Sequence, residues 1–188
     1  MTQQEKFFSQ LKKYLNSETQ SKRFIEELKD HIEDKTAHHN GKKNRNTIKE
    51  LGDPKLLALL WKLNNAHRKY KLAKTMSVMV NIFFISILYF AIFNEDGIYT
   101  FALPFLTATI FSILSSLIAW HWRKVGGTLT IVGAIAIFIS VNINAIILDQ
   151  GIFLGIFVGL LESLPFLAIG FLFRKSHEEL YKTLSINQ

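Results

Sequence analysis

The sequence contains no cysteine, and a stretch of about 100 residues, 75–173, contains little charge. Without cysteine, disulfide bonds and cysteine-based metal or redox sites are excluded. Glycine-rich phosphate loops, His-Glu-x-x-His motifs and nucleophile elbows are also missing, so we expect neither an enzyme nor a cofactor. The formal net charge is +7, and Lys, Arg, Asp and Glu crowd residues 1–74. Residues 75–173 carry few charged side chains, namely Glu95, Asp96, Arg123, Lys124, Asp149 and Glu162. This shift in composition predicts a domain boundary near residue 74.

Four apolar stretches follow the charged segment, and a helix of about 20 apolar residues is long enough to cross a bilayer. A set of soluble helices would need polar faces, which these stretches lack. We therefore predict an all-α protein with a cytosolic bundle of short helices over residues 1–74. A four-helix transmembrane region over residues 75–174 and a short cytosolic tail over residues 175–188 would follow. The predicted spans are 76–93, 101–120, 127–148 and 152–173.

Basic residues lie on one side of the predicted spans. The N-terminal segment, the loop with Arg123 and Lys124, and the tail that begins at Arg174 are basic, whereas the other two loops carry only acids. Because cytoplasmic loops are enriched in Lys and Arg, the pattern predicts a multi-pass protein with both termini in the cytosol. No signal peptide is expected, since the first long apolar run begins near Met76. Anionic lipid headgroups of the inner leaflet are expected to contact Arg68, Lys69, Lys71 and Lys74.

Residues 1–74 show apolar side chains at helical spacing. The predicted apolar faces are formed by Phe7, Phe8, Leu11, Tyr14 and Leu15 in a first helix and by Phe24, Ile25, Leu28 and Ile32 in a second. Farther along, Gly52, Asp53 and Pro54 predict a helix end, an N-cap and a first helical position in succession. No Pro or Gly follows Pro54 before residue 93. We therefore expect a nearly continuous helix from Pro54 into the first span.

The N-terminal segment resembles a known family. Glu-Glu-Leu-Lys-Asp-His-Ile-Glu-Asp-Lys at residues 26–35 is followed by Gly41-Lys42 and by Ile-Lys-Glu-Leu-Gly-Asp-Pro at residues 48–54. Over residues 7–63 this order resembles the HAAS signalling-domain family, which overlaps with the permease prefix domains. Such modules precede bacterial transmembrane regions and are often encoded beside PadR-like winged-helix repressors. The resemblance implies a regulatory or sensory role in the bacterial cytoplasmic membrane. The chain departs from the family at residues 43–46, where Lys-Asn-Arg-Asn replaces the usual cap residue and acids.

Glu162 lies near the middle of the fourth predicted span. Because a charged side chain at the centre of a bilayer costs a few kcal/mol, we expect this carboxyl to be protonated or hydrogen-bonded to a neighbouring helix. Depth counting along each span at about 1.5 Å per residue places Asn81 level with Glu162 and puts serines of the second span nearby. The hypothesis is an intramembrane polar cluster of Glu162, Asn81, Ser112, Ser115 and Ser116. Such a cluster would fix the packing of the bundle, sense a ligand or ion, or line a conducting pathway.

The fourth span also carries small residues at four-residue spacing, which favour close helix packing. These are Gly151, Gly155, Gly159 and Ser163. The stripe suits packing within one chain and also a homo-oligomer. Pro165 removes a helical hydrogen bond and predicts a kink. Together with Gly52, Asp53 and Pro54, it is a candidate hinge.

A metal site is the alternative that the histidines raise. His31, Asp34 and His38 would share one helix face and offer three ligands for zinc. Asn40-Gly41 indicates that the helix ends there, and polar helix ends of this composition are common. We therefore expect no metal site.

Together these patterns predict a small integral membrane regulatory or sensory protein. Its cytosolic module is expected to bind a cytosolic protein, for which the resemblance suggests a PadR-like transcription regulator. The alternatives are a transporter or channel component built around Glu162 and a passive membrane anchor. Direct nucleic-acid binding is not expected, because acids are interspersed with the bases of the N-terminal segment.

Overall fold

The computed structural model describes residues 2–15, 19–37, 50–93, 103–149 and 151–185. Within these ranges the secondary structure is helical, without a strand, as the all-α prediction requires. The helices are α1 (Gln3–Leu15), α2 (Thr19–Ala37), α3 (Pro54–Phe93), α4 (Leu103–Ile118), α5 (Arg123–Ile147) and α6 (Ile152–Ser185). The chain divides into two compact units, Met1–Asn65 and Ala66–Gln188, and the division falls inside α3. His38, which was weighed as a zinc ligand in the alternative that we do not expect, and the departure from the family at residues 43–46 lie outside the described residues.

The first unit is held together by the apolar faces of its helices. Its buried core consists of Phe7, Phe8, Leu11 and Leu15 of α1, Ile32 of α2 and Ala58 of α3. The ring of Phe24 stacks on Trp61 with 5.4 Å between the ring centroids. Tyr14 departs from the predicted apolar face, since it is 40% exposed. Burial of a Leu or Phe side chain contributes about 1.5–3 kcal/mol, so this small core stabilises the contacts between α1, α2 and the start of α3.

The start of α3 is set by three consecutive residues. Gly52 has φ of +76°, a conformation that favours glycine. The Asp53 carboxylate accepts a hydrogen bond from the backbone N–H of Lys55 at 2.9 Å, as an N-cap does. Pro54 is the first helical residue, and α3 then continues for 40 residues to Phe93. The stretch without Pro or Gly is thus one uninterrupted helix.

In the second unit neighbouring helices run antiparallel. Ser77 of α3 bonds to Ser116 near the end of α4, whereas Phe84 packs with Phe105 near the start of α4. Phe166 of α6 lies 4.9 Å from Phe84 between ring centroids. Farther along α6, Phe173 lies 5.9 Å from Tyr70. The chain therefore crosses the unit in alternating directions, and α3 enters the unit at the end where α5 begins.

That shared end, which we call the Tyr70 end, is fixed by polar contacts. The guanidinium of Arg123 lies 3.9 Å above the Tyr70 ring. The Tyr70 hydroxyl donates to the carbonyl of Trp120 at 2.9 Å. The Ser176 hydroxyl donates to the carbonyl of Ala66 at 3.0 Å. Consequently the last turns of α6, the start of α5 and residues 66–70 of α3 lie together.

In the part of the chain that the structure describes, three helices are long and apolar enough to cross a membrane, in the stretches Pro54–Tyr89, Arg123–Ile147 and Ile152–Leu184. Within the span predicted at 101–120, the described residues form the apolar helix Pro104–Ile118. The chain turns directly after Ile118, where the Trp120 and His121 N–H groups bond to the carbonyls of Leu117 and Ile118 at 3.1 Å. The 16 residues of α4 extend about 24 Å at 1.5 Å per residue, against a bilayer core of about 30 Å.

Glycines bring α5 and α6 close together. A Cβ atom on Gly127 would lie 2.9 Å from the carbonyl oxygen of Gly170, and one on Gly170 would lie 2.8 Å from the carbonyl oxygen of Gly127. Towards the other end, a Cβ on Gly155 would meet the side chain of Ala145 at 2.6 Å. Small residues allow this approach, which increases the van der Waals contact between apolar helices.

Candidate functional site

Part of the predicted polar cluster forms around Asn81. Its side-chain N–H group donates to the Ser116 hydroxyl at 2.9 Å, and that hydroxyl lies 3.1 Å from the Asn81 carbonyl oxygen. The hydroxyl of Ser77 lies 3.1 Å from that of Ser116, and the indole N–H of Trp120 points to Ser77 at 3.4 Å. Ser77 and Trp120 were not among the residues predicted for this cluster. Ser77 and Asn81 are four residues apart and therefore lie on one helix face. This spacing could have predicted that Ser77 belongs to the cluster.

Ser112 and Ser115 are buried, as Asn81 and Ser116 are. Ser112 donates its hydroxyl to the carbonyl of Ala108 on its own helix at 2.9 Å. Its side chain lies against Gly133 of α5. Ser112 thus serves the contact between α4 and α5, whereas Ser116 serves the contact between α4 and α3.

Glu162 does not join this cluster. It lies beside Val80, Phe84 and Ile87 of α3, whose spacing of four and three residues puts them on one helix face. Asn81 is rotated by about 100° from Val80 in a helix of 3.6 residues per turn, so it faces α4. The hypothesis of one cluster containing both Glu162 and Asn81 is therefore corrected. Residues at equal depth face different neighbours.

Glu162 lines an apolar crevice between α3 and α6. The Glu162 crevice has a volume of about 250 Å³ and is lined by Met79, Val80, Phe83, Phe84, Ile87, Leu161, Glu162 and Pro165. Met79, Phe83 and Leu161 are each at least 60% exposed, so the crevice opens on the outside of the helix bundle. The Oε2 atom of Glu162 is buried and has no hydrogen-bond partner among the described residues. The crevice thus joins a hydrocarbon-like wall to an unpaired carboxyl oxygen.

Pro165 forms part of the same crevice, one turn beyond Leu161. It lies inside α6, which continues on both sides of it. Without an N–H group, Pro165 cannot donate to the Leu161 carbonyl as other residues of a helix would. Its role as a hinge stays a prediction, as does that of Gly52, Asp53 and Pro54.

The glycine stripe of α6 faces α5 over part of its length. A Cβ on Gly159 would lie 3.0 Å from the Asn142 side chain, and Ser163 is buried. Gly155, as described above, meets Ala145. Gly151 differs, because it is exposed, precedes α6 and has φ of +88° with open space around it. Gly151 therefore lies outside the packed part of the predicted stripe. The pair Gly127 and Gly170, which meets across α5 and α6, was not predicted.

The predicted headgroup-binding residues divide into two groups. Arg68 and Lys71 are exposed, and the exposed Lys74 places its ammonium 4.7 Å from the centre of the Trp120 ring. Lys69 instead forms an ion pair with Glu179 of α6 in which both side chains are largely buried. Its neighbour on α6 satisfies its charge within the protein, so Lys69 is less suited than the other basic residues to contact lipid.

The described residues contain no group of three His, Cys, Asp or Glu side chains that could hold a metal ion. His31 and Asp34 lie on the exposed side of α2. In the Glu162 crevice a single carboxyl is surrounded by apolar side chains. This arrangement can hold a hydrogen-bond donor or a cationic group, but it lacks the oxygen ligands of a Ca²⁺ or Mg²⁺ site.

Family comparisons cover almost the whole chain with two models. The HAAS model matches residues 6–59 and confirms the resemblance of the N-terminal segment. The model described as Domain of unknown function (DUF7670) matches residues 62–184, about two thirds of the chain. Searches of curated proteins and of solved structures gave no match. The chain therefore belongs to the family described as Domain of unknown function (DUF7670) and carries a HAAS domain before the region that defines this family.

Proposed function

We propose that this chain is a membrane-embedded regulatory protein in which the membrane bundle sets the state of the HAAS domain. The observation that carries the proposal is the continuity of α3. This helix supplies Ala58 to the core of the first unit and Val80 and Phe84 to the Glu162 crevice. A displacement of α3 at the crevice therefore has an unbroken helical route to the HAAS core. A HAAS domain followed by apolar helices is compatible with this role.

The proposed membrane region crosses the bilayer four times. Since α3 enters the second unit at the Tyr70 end and α5 begins there, the chain must return across the unit between them, and α4 lies on that return. A short apolar helix can cross where the bilayer thins locally, at a cost of a fraction of a kcal/mol per Å. Arg123, Lys124 and Arg174 lie at or near the Tyr70 end, whereas Asp149 lies at the other. The excess of basic residues supports a cytosolic Tyr70 end and two cytosolic termini.

Single cysteines can test this topology, because the chain has none of its own. Cysteine would be introduced at the exposed positions Ser9, Lys124, Leu148 and Tyr181, one at a time. In intact cells a membrane-impermeant maleimide should label only the Leu148 variant, and opening the cells should expose the others. If α4 does not cross, Lys124 should be labelled from outside while Leu148 is protected, and the four-span arrangement would then be rejected.

The proposed partner of the HAAS domain is a cytosolic protein, and a PadR-like transcription regulator is the candidate that the family suggests. The outer side of α2 offers an exposed surface with both signs of charge. It includes Lys22, Glu26, Asp30 and Glu33. Next to the membrane, the exposed Arg68, Lys71 and Lys74 would bind anionic headgroups, each contributing about 1 kcal/mol near the surface.

Photo-crosslinking in native membranes tests the partner. A photoreactive amino acid would replace Glu26 or Asp30 on α2, and the same residue at Leu148 would serve as the matched control. The proposal predicts that both α2 probes capture one cytosolic protein that the Leu148 probe does not capture. Capture of only lipid or further copies of the chain by the α2 probes would remove the support for a regulatory partner.

A transporter or channel component is the second candidate, favoured by the carboxyl of Glu162. A conducting pathway needs a series of polar or charged lining groups. The other side chains that line the Glu162 crevice are apolar. The lining therefore favours a binding site over a pathway.

A further inference from the structure

The carboxyl of Glu162 has an oxygen that accepts no hydrogen bond from the described residues. Its Oε2 atom is buried without a partner among the described residues. The Asn81 and Ser116 side chains bond to each other and do not donate to this oxygen. Buried polar atoms in native proteins nearly always have a partner, so this oxygen can accept a hydrogen bond from a ligand in the crevice. Such a ligand must fit beside apolar side chains.

The chemistry of the crevice narrows the class of ligand. An anion would be repelled whenever Glu162 is ionised, and Ca²⁺ or Mg²⁺ would require several oxygen ligands where the crevice supplies one carboxyl. An ammonium group carries three donors, which can serve the carboxylate, and it compensates the negative charge. The apolar walls formed by Met79, Phe83 and Leu161 suit a hydrocarbon chain. Only a molecule with both an ammonium group and a hydrocarbon chain matches the carboxyl and the apolar walls together.

We propose that the Glu162 crevice binds a lipophilic amine, with its ammonium on the Glu162 carboxylate and its hydrocarbon chain along Met79, Phe83 and Leu161. The volume of about 250 Å³ holds roughly eight groups of about 30 Å³, the volume share of one water molecule. A longer chain extends into the bilayer through the open side, where these three side chains are exposed. The ligand therefore enters from the lipid phase.

Binding of the amine would be the signal that the membrane bundle detects. This part of the inference rests on the proposed function. An amine between α3 and α6 contacts the one helix that continues into the HAAS domain core. Binding itself does not depend on a partner, so it can be measured on the purified chain. The two proposals can therefore fail separately. Amine binding without any effect on partner capture would reject only the regulatory function.

The test uses the full chain in lipid nanodiscs and dodecylamine with a diazirine in its alkyl chain. Dodecanol with the same diazirine is the matched neutral probe. After irradiation, peptide mass spectrometry should find the amine on Met79, Phe83 or Leu161. Half-maximal labelling should need at least about tenfold less amine than alcohol, as expected when a neutral hydrogen bond becomes charge-assisted. Glu162→Gln should remove this preference.

Matched variants separate the crevice from general effects. Glu178→Gln makes the same change at an exposed position of α6 and should leave labelling unchanged. Met79→Trp should fill the crevice and lower amine labelling at Leu161 about tenfold or more without altering the carboxyl. Ile82→Trp, on an exposed face of α3 outside the crevice, should not. Equal labelling by amine and alcohol, or labelling that survives both Glu162→Gln and Met79→Trp, would overturn the proposal.

Discussion

Replacing Gly127 with alanine should destabilise the helix bundle, although alanine is the better helix former. The added Cβ would lie 2.9 Å from the carbonyl oxygen of Gly170 and 3.2 Å from the backbone nitrogen of Arg174. Backbone atoms of α6 cannot move aside as a flexible side chain can, so α5 and α6 must separate. Overpacking of this kind costs about 1–3 kcal/mol. Alanine regains up to about 1 kcal/mol of helix propensity. We expect a net loss of about 1–2 kcal/mol in the free energy of unfolding.

Reversible unfolding in mixed detergent micelles, followed by circular dichroism, measures this free energy. Thr128→Ala changes an exposed neighbour on the same helix and should have little effect. Gly170→Ala should destabilise by a similar amount, because it strains the same contact. The double variant should lose less free energy of unfolding than the two single variants lose together, because the first alanine has already separated the helices. A stabilised Gly127→Ala variant, or strictly additive losses, would refute the close approach of α5 and α6.

Further substitutions test other contacts of the structure. Asp53→Ala removes the N-cap of α3 and should lower the thermal stability of the full chain by about 1 kcal/mol, whereas Asp53→Asn should retain it. Ser116→Ala leaves the Asn81 amide without its closest partner and should lower the unfolding free energy in micelles by about 0.6 kcal/mol. Lys69→Met leaves the largely buried Glu179 carboxylate unpaired and should lower the same quantity by about 1.5–3 kcal/mol. High salt should not lower the stability in the same way, because salt screens a largely buried ion pair such as Lys69–Glu179 only weakly. Full stability of any of these variants would contradict the corresponding contact.

Patterns along the chain predicted the helices well, because each helix carries its own signals. Apolar spacing located the core faces of α1 and α2, and Gly52, Asp53 and Pro54 located the start of α3. The length of α4 was not predictable in the same way. Its apolar composition continues through Ala119 and Trp120, but the chain turns there, and Gly126 of α5 packs onto Ala119. The end of α4 thus depends on a turn packed against the start of α5, which composition alone does not show.

The candidate site shows what depth counting can and cannot provide. It placed Asn81 and Glu162 at a similar depth. It does not determine how each helix is rotated about its axis, and therefore which neighbouring helix each residue faces. Asn81 faces α4 and bonds to Ser116, whereas Glu162 faces Val80 and Phe84 on the adjacent face of α3. The pairing of Gly127 with Gly170 was missed for a related reason. Each residue belongs to a different helix, and no spacing within one helix reveals the pair.

The central claim is that the membrane bundle sets the state of the HAAS domain. It is tested most directly by comparing partner capture by the Asp30 photo-probe in two chains in native membranes. One is the full chain, and in the other residues 76–188 are replaced by four unrelated membrane spans of matched topology. We predict that the replacement changes the capture yield several-fold. Capture of the same partner with the same yield from both chains would show a passive anchor and contradict the account.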